Sequence, residues 1–201
     1  MRTRITPNAV TLMGLLVHLA VAGYVVTLRA PVSGISVAIV LVGWQLAFAL
    51  DCTDGQLARE RGVASPFGAW LDQLADYIAH VAVYLSLGLF LVRSLQLEAT
   101  MSAVLVCVIS AANVFQLFAS AERNVLMGTG GGIHLETKGW VRALGAVRHF
   151  SDYGAILLIA SVLLLLPKGL LVFVIATGVL AVGTVVGQVG YNWARIATPR
   201  A

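Results

Sequence analysis

Four aspartates in one short segment are the residues of this sequence best suited to carry chemistry. Asp51 and Asp54 lie three positions apart, and Asp72 and Asp76 lie four positions apart. On a helix, either spacing places both carboxyl groups on the same face. The four are nearly half of the nine acidic residues in the chain, and they lie next to or within strongly apolar segments. Because a carboxylate at membrane depth is costly, a functional role is the first hypothesis.

Carboxylates in this arrangement predict a site for divalent cations. If the two helices that carry them run antiparallel, the two pairs meet, and each pair of charges 4 Å apart costs about 4 kcal/mol at an effective dielectric of 20. Hard divalent cations prefer oxygen ligands, and Mg²⁺ or Mn²⁺ held by carboxylates and substrate phosphate is the usual arrangement in phosphoryl transfer. Two such ions stabilise both the entering and the leaving oxygen. We therefore expect Asp51, Asp54, Asp72 and Asp76 to bind two ions of Mg²⁺ or Mn²⁺.

The residues around the aspartates allow two interpretations. Gly55 and Gly68 have no Cβ, and Ala58 is small, so a phosphate or a base could approach the backbone closely. Tight packing between membrane helices would explain either glycine alone. Arg59 either binds a phosphate or extends its charge to the lipid head groups. Its position directly after the aspartates favours phosphate binding.

The composition predicts an all-α integral membrane protein. Of the 201 residues, 59% are hydrophobic and 11% are charged, and the mean hydropathy is +0.92, whereas soluble domains carry about 25% charged residues. A helix needs roughly 20 apolar residues to cross a bilayer. Pro31, Pro66 and Pro167 fall in the predicted connections between spans. The six predicted transmembrane helices are Val10–Leu28, Val32–Leu50, Ala69–Val92, Ala99–Ala121, Asp152–Leu166 and Gly169–Trp193.

The basic residues predict the orientation of the spans. Cytoplasmic loops are enriched in Lys and Arg, and an inside N-terminus puts ten of the 13 basic residues on the cytoplasmic side. Arg29, Arg93 and Lys168 fall outside. Residues 1–201 then form a single membrane domain with both termini in the cytoplasm, a cytoplasmic juxtamembrane segment at 1–9 and a cytoplasmic loop at 122–151. The net charge of +4 reflects this orientation and contact with anionic lipid, and it requires no nucleic acid partner.

The loop at 122–151 also allows two interpretations. Its glycine-rich stretch at 128–132 suits a flexible connector. Its basic residues, Arg142 and Arg148 among them, would equally suit binding of an anionic substrate, because loops of this length are often functional.

The aspartate segment resembles the signature of the CDP-alcohol phosphotransferase family, D-x-x-D-G-x-x-A-R-x8-G-x-x-x-D-x-x-x-D. The chain reads Asp51-Cys-Thr-Asp54-Gly55-Gln-Leu-Ala58-Arg59, then eight residues, then Gly68-Ala-Trp-Leu-Asp72-Gln-Leu-Ala-Asp76. Every fixed position is filled. Six spans, cytoplasmic termini and a Thr6-Pro7-Asn8 start to the first helix are also typical of the family.

The resemblance implies a role for each matched residue. Asp51, Asp54 and Asp72 would bind the metals, and Asp76 would be a further ligand and the base that deprotonates the acceptor hydroxyl. The residues implied to hold the cytidine diphosphate are Asp51, Asp54, Gly55, Ala58, Arg59 and Gly68. The protein would move a phosphatidyl group from CDP-diacylglycerol, or another CDP-alcohol, to a small polar hydroxyl acceptor and release CMP. It would lie in a bacterial inner membrane with its active site facing the cytoplasm, and relatives are often homodimers.

The acceptor stays open at this point. Phosphatidylinositol-phosphate synthases of the family usually carry a pattern resembling K-A-R-A-E in the fourth helix, but this chain reads Phe118-Ala-Ser-Ala-Glu122-Arg123-Asn124. Arg123, Arg142 and Arg148 are the candidates to bind an acceptor phosphate from shifted positions. Inositol phosphate and glycerol phosphate are the acceptors considered.

Two further hypotheses concern residues outside the signature and a different class of function. His80 follows Asp76 by one helical turn and could orient that carboxyl group, although a histidine in an apolar helix, such as His18, is more often a packing residue. The alternative to an enzyme is a cation channel or transporter whose aspartates coordinate a permeating ion. That alternative does not explain the fixed offsets of Gly55, Arg59 and Gly68.

Overall fold

The computed structural model of this chain describes residues 5–98, 100–104, 106–108, 110–111, 114–115 and 153–197. In these ranges the regular structure is entirely helical, which confirms the predicted all-α class. Five helices have defined bounds, and short helical stretches lie between 100 and 115. The helices are α1 (Pro7–Thr27), α2 (Gly34–Glu60), α3 (Pro66–Leu95), α4 (Tyr153–Leu163) and α5 (Pro167–Ala197).

The helix starts follow the local sequence chemistry. Thr6 and Ser65 cap α1 and α3, each accepting a hydrogen bond from the backbone N–H three residues on, at 3.3 Å and 3.1 Å. Pro7, Pro66 and Pro167 are the first residues of their helices, where the missing N–H would have no intrahelical partner. Pro66 and Pro167 therefore begin helices, and the prediction that they lie in the connections is wrong.

The described helices pack in a ring around one apolar core. Helix α1 contacts α2 and α3, α2 contacts α4, α4 contacts α5, and α5 closes the ring on α3. The core includes the fully buried side chains of Trp44, Phe90, Leu157 and Leu170. Two arginine side chains bond to backbone carbonyl groups near the two ends of α1. Arg61 Nη1 donates to the carbonyl of Ile5 at 2.6 Å, and Arg93 Nη1 donates to the carbonyl of Val26.

Among the residues that the structure describes, four helices are long and apolar enough to cross a membrane, namely Pro7–Thr27, Gly34–Glu60, Pro66–Leu95 and Pro167–Gly187. Their outward faces carry large apolar side chains with high exposure, such as Leu16, Val42 and Val172. In water such faces would be unfavourable, but in a bilayer they contact lipid chains. The chain is a multi-pass membrane protein.

The predicted spans agree with the helices where the structure describes them. Predicted spans one, two, three and six overlap α1, α2, α3 and α5. Helix α2 continues past the predicted end at Leu50 to Glu60, and residues 56–60 (Gln-Leu-Ala-Arg-Glu) are all good helix formers. The described part of the fifth span contains the short apolar helix α4, followed by a turn at residues 164–165. The fourth span, Ala99–Ala121, is only partly described, and the loop at 122–151 lies outside the described residues.

Candidate active site

The facing ends of α2 and α3 bring three of the four aspartates together. One carboxylate oxygen from each of Asp51, Asp54 and Asp72 lies within 4.8 Å of the other two. Asp54 is only 4% exposed, and Asp51 and Asp72 are half-buried. Three carboxylate oxygens at this separation form a donor set that suits Mg²⁺ or Mn²⁺, because both ions prefer oxygen ligands.

Asp76 lies beside this cluster, one helical turn beyond Asp72 on α3. Its carboxyl group is within hydrogen-bonding reach of that of Asp51. Two carboxyl groups make such a contact only when a proton or a cation reduces their repulsion. The structure therefore places all four signature aspartates in one group, with Asp76 at its edge.

Asp54 is held by two donors, one of which the sequence analysis did not single out. The side-chain hydroxyl of Thr11 on α1 donates to Asp54 Oδ2, and the backbone N–H of Gly55 donates to Asp54 Oδ1. Thr11 is itself buried and also contacts the carbonyl of Pro7 at 3.3 Å. Hydrogen bonds of this kind fix the orientation of a ligating carboxylate.

Close contact between α1 and α2 makes the Thr11 bond possible. A Cβ added to Gly14 would lie 3.4 Å from the carbonyl oxygen of Ala47 and 3.6 Å from the backbone nitrogen of Asp51. Small residues of this kind let helix backbones approach in membranes. The only sequence signal for Thr11 is a polar residue one turn into a strongly apolar helix.

A cavity of about 460 Å³ adjoins the aspartate cluster, within the usual range of about 300–1,000 Å³ for small-molecule sites. Five of the six residues predicted to hold the nucleotide line it, and Asp51 does not. Asp72 also lines it, so the cavity and the carboxylate cluster share two aspartates. The five lining residues are Asp54, Gly55, Ala58, Arg59 and Gly68.

The two glycines lie where a side chain would intrude on neighbouring polar groups. A Cβ on Gly55 would lie 3.3 Å from Nη1 of Arg59, so the missing side chain leaves room for the guanidinium group. A Cβ on Gly68 would lie 3.3 Å from Asn8 Oδ1 and equally close to Ser65 Oγ. Both glycines line the cavity, and each leaves room there for a side chain of the protein itself.

More than half of the residues that line the cavity lie outside the predicted site residues. The start of α1 contributes Thr6 and Asn8, and the connection between α2 and α3 contributes Arg61 and Ser65. The first turns of α1 and α3 thus border the cavity, and the partial positive charge of a helix N-terminus favours anions. Together with Arg59 and Arg61 they give the cavity positive charge in addition to its two aspartates.

Of the other predicted site residues, the structure describes His80 but not the three arginines. His80 Nδ1 contacts the backbone carbonyl of Asp76 at 2.9 Å, which is not the contact to its carboxyl group that the sequence analysis considered. Arg123, Arg142 and Arg148, the candidates for the acceptor, lie outside the described residues.

Apolar helices around a carboxylate cluster and a cation-lined cavity define a multi-pass membrane protein with a polar site at the ends of its helices. The family model described as CDP-alcohol phosphatidyltransferase matches residues 4–189. This chain belongs to that family.

Curated bacterial relatives are phosphatidylinositol phosphate synthases. The protein from Mycobacterium marinum is 32% identical over 131 residues, which is 65% of this chain and 53% of the relative. The Mycobacterium tuberculosis protein is 31% identical over 131 residues, covering 65% of this chain and 58% of the relative. The Corynebacterium glutamicum protein is 32% identical over 133 residues, with 65% and 57% covered. The matched part of this chain thus spans a little over half the length of these relatives.

Proposed function

We propose that this protein transfers a phosphatidyl group from CDP-diacylglycerol to a hydroxyl of inositol phosphate and releases CMP. The observation that carries the proposal is the sharing of Asp54 and Asp72 between the cavity and the carboxylate cluster. A nucleotide in the cavity would then have its phosphates next to the metal-binding oxygens. Membership of the family supports the reaction class, and the relatives named above support inositol phosphate over glycerol phosphate as the acceptor.

The cavity suits a pyrophosphate because its anion-binding groups converge from three elements. Arg59 and Arg61 lie at the end of α2, and residues of the first turns of α1 and α3 line the same cavity. Guanidinium groups and helix N-termini both bind phosphate well. We assign the cytidine diphosphate of the donor to this cavity, with Gly55, Ala58 and Gly68 as its close-contact wall.

The four aspartates divide into ligands and a base. Asp51, Asp54 and Asp72 would hold two divalent ions, with Asp76 as a further ligand, and bound Mg²⁺ or Mn²⁺ would offset charge on the pyrophosphate and on departing CMP. Asp76 takes the proton from the acceptor hydroxyl. The acceptor oxygen bonds to the phosphorus of the phosphatidyl group, and the bond from that phosphorus to the oxygen of CMP breaks. A hydroxyl is a poor nucleophile, so it needs such a base.

The surroundings of the site complete the proposal. Six transmembrane helices in a single domain over residues 1–201 would place the active site at the cytoplasmic face of a bacterial inner membrane, where the donor's acyl chains stay in lipid. Arg123, Arg142 and Arg148 would bind the phosphate of the acceptor. A homodimer formed through membrane helices is consistent with the many exposed apolar side chains.

The test is CMP release by purified protein in nanodiscs with CDP-diacylglycerol, Mg²⁺ or Mn²⁺, and a panel of hydroxyl acceptors. Asp76→Asn is expected to abolish release, and Asp51→Asn and Asp72→Asn to reduce it severely. Glu98→Gln removes an exposed carboxylate that lies outside the site and is expected to leave release unchanged. Release that persists in all three aspartate variants would refute the mechanism.

The acceptor is tested with the same assay. Inositol phosphate is expected to support faster release than glycerol phosphate, and Arg123→Ala, Arg142→Ala and Arg148→Ala are each expected to raise its KM. Cation flux through liposomes without CMP release would instead support the channel that the sequence alone left open.

A further inference from the structure

Three aromatic rings from three helices stack next to the aspartate cluster. The ring of Tyr153, at the start of α4, stacks on that of His80 of α3 with a centroid separation of 3.8 Å and an interplanar angle of 18°. On α1, His18 stacks at 5.7 Å from Tyr153. We call these three residues the aromatic stack. His80 follows Asp76 by one turn of α3, and its Nδ1 contacts the backbone carbonyl of Asp76. The stack therefore contacts the backbone of the residue proposed as the base.

Packing alone fixes the position of Tyr153. Gln45 Nε2 donates to the carbonyl of Gly154 at 3.0 Å and ties α4 to α2. Phe48 packs edge-on against Tyr153 at 6.4 Å, and a Cβ on Gly154 would lie 2.6 Å from Phe48 Cε1. This part of α4 therefore lies against α2 as closely as a glycine allows. The Tyr153 hydroxyl is not needed to hold the ring in place.

That hydroxyl is buried and makes no hydrogen bond to any residue that the structure describes. It lies within electrostatic range of Tyr84 and, more weakly, of Asp76 and Asp51. Nε2 of His18, in the same stack, is likewise buried without a partner in the described part of the chain. Buried polar groups in folded proteins are normally paired, because an unpaired one loses its hydrogen bonds to water. The unpaired Tyr153 hydroxyl, on a ring that stacks against His80 one turn from Asp76, points to a ligand that brings its own polar atoms.

We infer that Tyr153 is an acceptor-binding residue whose hydroxyl hydrogen-bonds the hydroxyl of the acceptor that Asp76 deprotonates. The inference rests on the proposed function. Its chemistry suits an uncharged polyol group, because the stack offers a hydroxyl and an imidazole where a phosphate would call for cations. Tyr153 would thus recognise the alcohol part of the acceptor.

The experiment compares Tyr153→Phe with Tyr24→Phe in the CMP-release assay with inositol phosphate. Tyr153→Phe keeps the ring and removes only the hydroxyl. We expect it to raise the KM for inositol phosphate roughly five- to tenfold, as for loss of one hydrogen bond, and to leave the KM for CDP-diacylglycerol within about twofold. Tyr24 donates to Ser36 Oγ at 3.0 Å near the opposite end of α1, so Tyr24→Phe is the matched control and should leave both KM values unchanged.

Melting temperature without substrates separates acceptor binding from a structural role. Removing a hydroxyl that has no described partner should not lower it, whereas Tyr24→Phe loses a bond and should lower it slightly. The inference is overturned if Tyr153→Phe has the acceptor KM of the Tyr24→Phe control, or if it lowers the melting temperature and raises both KM values together.

Failure of the proposed function would look different from failure of this inference. A wild-type protein that releases no CMP with any acceptor would refute both. A wild type that uses another hydroxyl acceptor contradicts only the choice of inositol phosphate, and the KM comparison is then made with that acceptor. An active wild type with an unaltered Tyr153→Phe variant refutes this inference alone.

Discussion

Replacing Thr11 by valine tests whether α1 contributes to the metal site. Valine matches threonine in shape but has no hydroxyl, so Asp54 Oδ2 loses its donor. Asp54 is 4% exposed, and water has little access to replace that bond. The backbone N–H of Gly55 would still hold the other oxygen. The variant therefore loosens the orientation of one proposed ligand without removing any ligand.

The expected loss follows from the charge on Asp54. A hydrogen bond to a charged group contributes about 1.5–3 kcal/mol, and loss of a partner that orients a metal ligand typically costs about 10–100-fold in metal affinity or activity. We expect the Mg²⁺ concentration that gives half-maximal CMP release to rise by roughly tenfold or more in Thr11→Val. At saturating Mg²⁺ most of the activity should return.

The assay is a Mg²⁺ titration of CMP release with two companion variants. Thr11→Ser keeps the hydroxyl and should stay near the wild type. Thr27→Val removes a hydroxyl near the other end of α1, where it donates to the carbonyl of Tyr24 at 2.7 Å, and should leave the titration unchanged. If Thr11→Val and Thr27→Val give the same midpoint as the wild type, the Thr11 hydroxyl does not orient a metal ligand.

Three more predictions test packing, the cavity wall and ion binding. Gly43→Ala should destabilise the fold by about 1–3 kcal/mol, because its Cβ would lie 2.5 Å from Val21 Cγ2. Gly23 has open space around it, so Gly23→Ala should be neutral or stabilising. Thermal melting in detergent compares the two variants. Gly68→Val should raise the KM for the CDP-linked donor in the CMP-release assay, because a branched side chain would enter the cavity. Mg²⁺ at 100 times its Kd should stabilise the wild type by about 2.7 kcal/mol in the same melting assay, and an unchanged shift in Asp72→Asn would exclude that aspartate as a ligand.

The aspartates could be predicted from sequence because their geometry is local. Spacings of three and four place each pair on one helix face, and a short connection brings α2 and α3 together. The grouping of Asp51, Asp54 and Asp72 follows from those two facts. Capping residues such as Thr6 and Ser65 are also local signals, and they begin their helices as sequence chemistry expects.

The contributions of distant helices could not be predicted in the same way. Thr11 is far from Asp54 in sequence and meets it only because α1 lies against α2, and no local pattern marks that contact. The stacking of Tyr153 on His80 joins α4 to α3 for the same kind of reason. The extent of α2 was wrong in the sequence analysis because hydropathy falls at Asp51 while backbone hydrogen bonding continues to Glu60.

The bond from Arg61 to the carbonyl of Ile5 has a practical consequence for handling the protein. It ties the backbone just before α1 to the connection that follows the aspartates, and both segments border the cavity. An affinity tag or fusion partner joined to the chain directly before Ile5 would therefore lie close to the proposed substrate cavity. Comparing N-terminally and C-terminally tagged preparations, before and after tag cleavage, should therefore precede any comparison of variants.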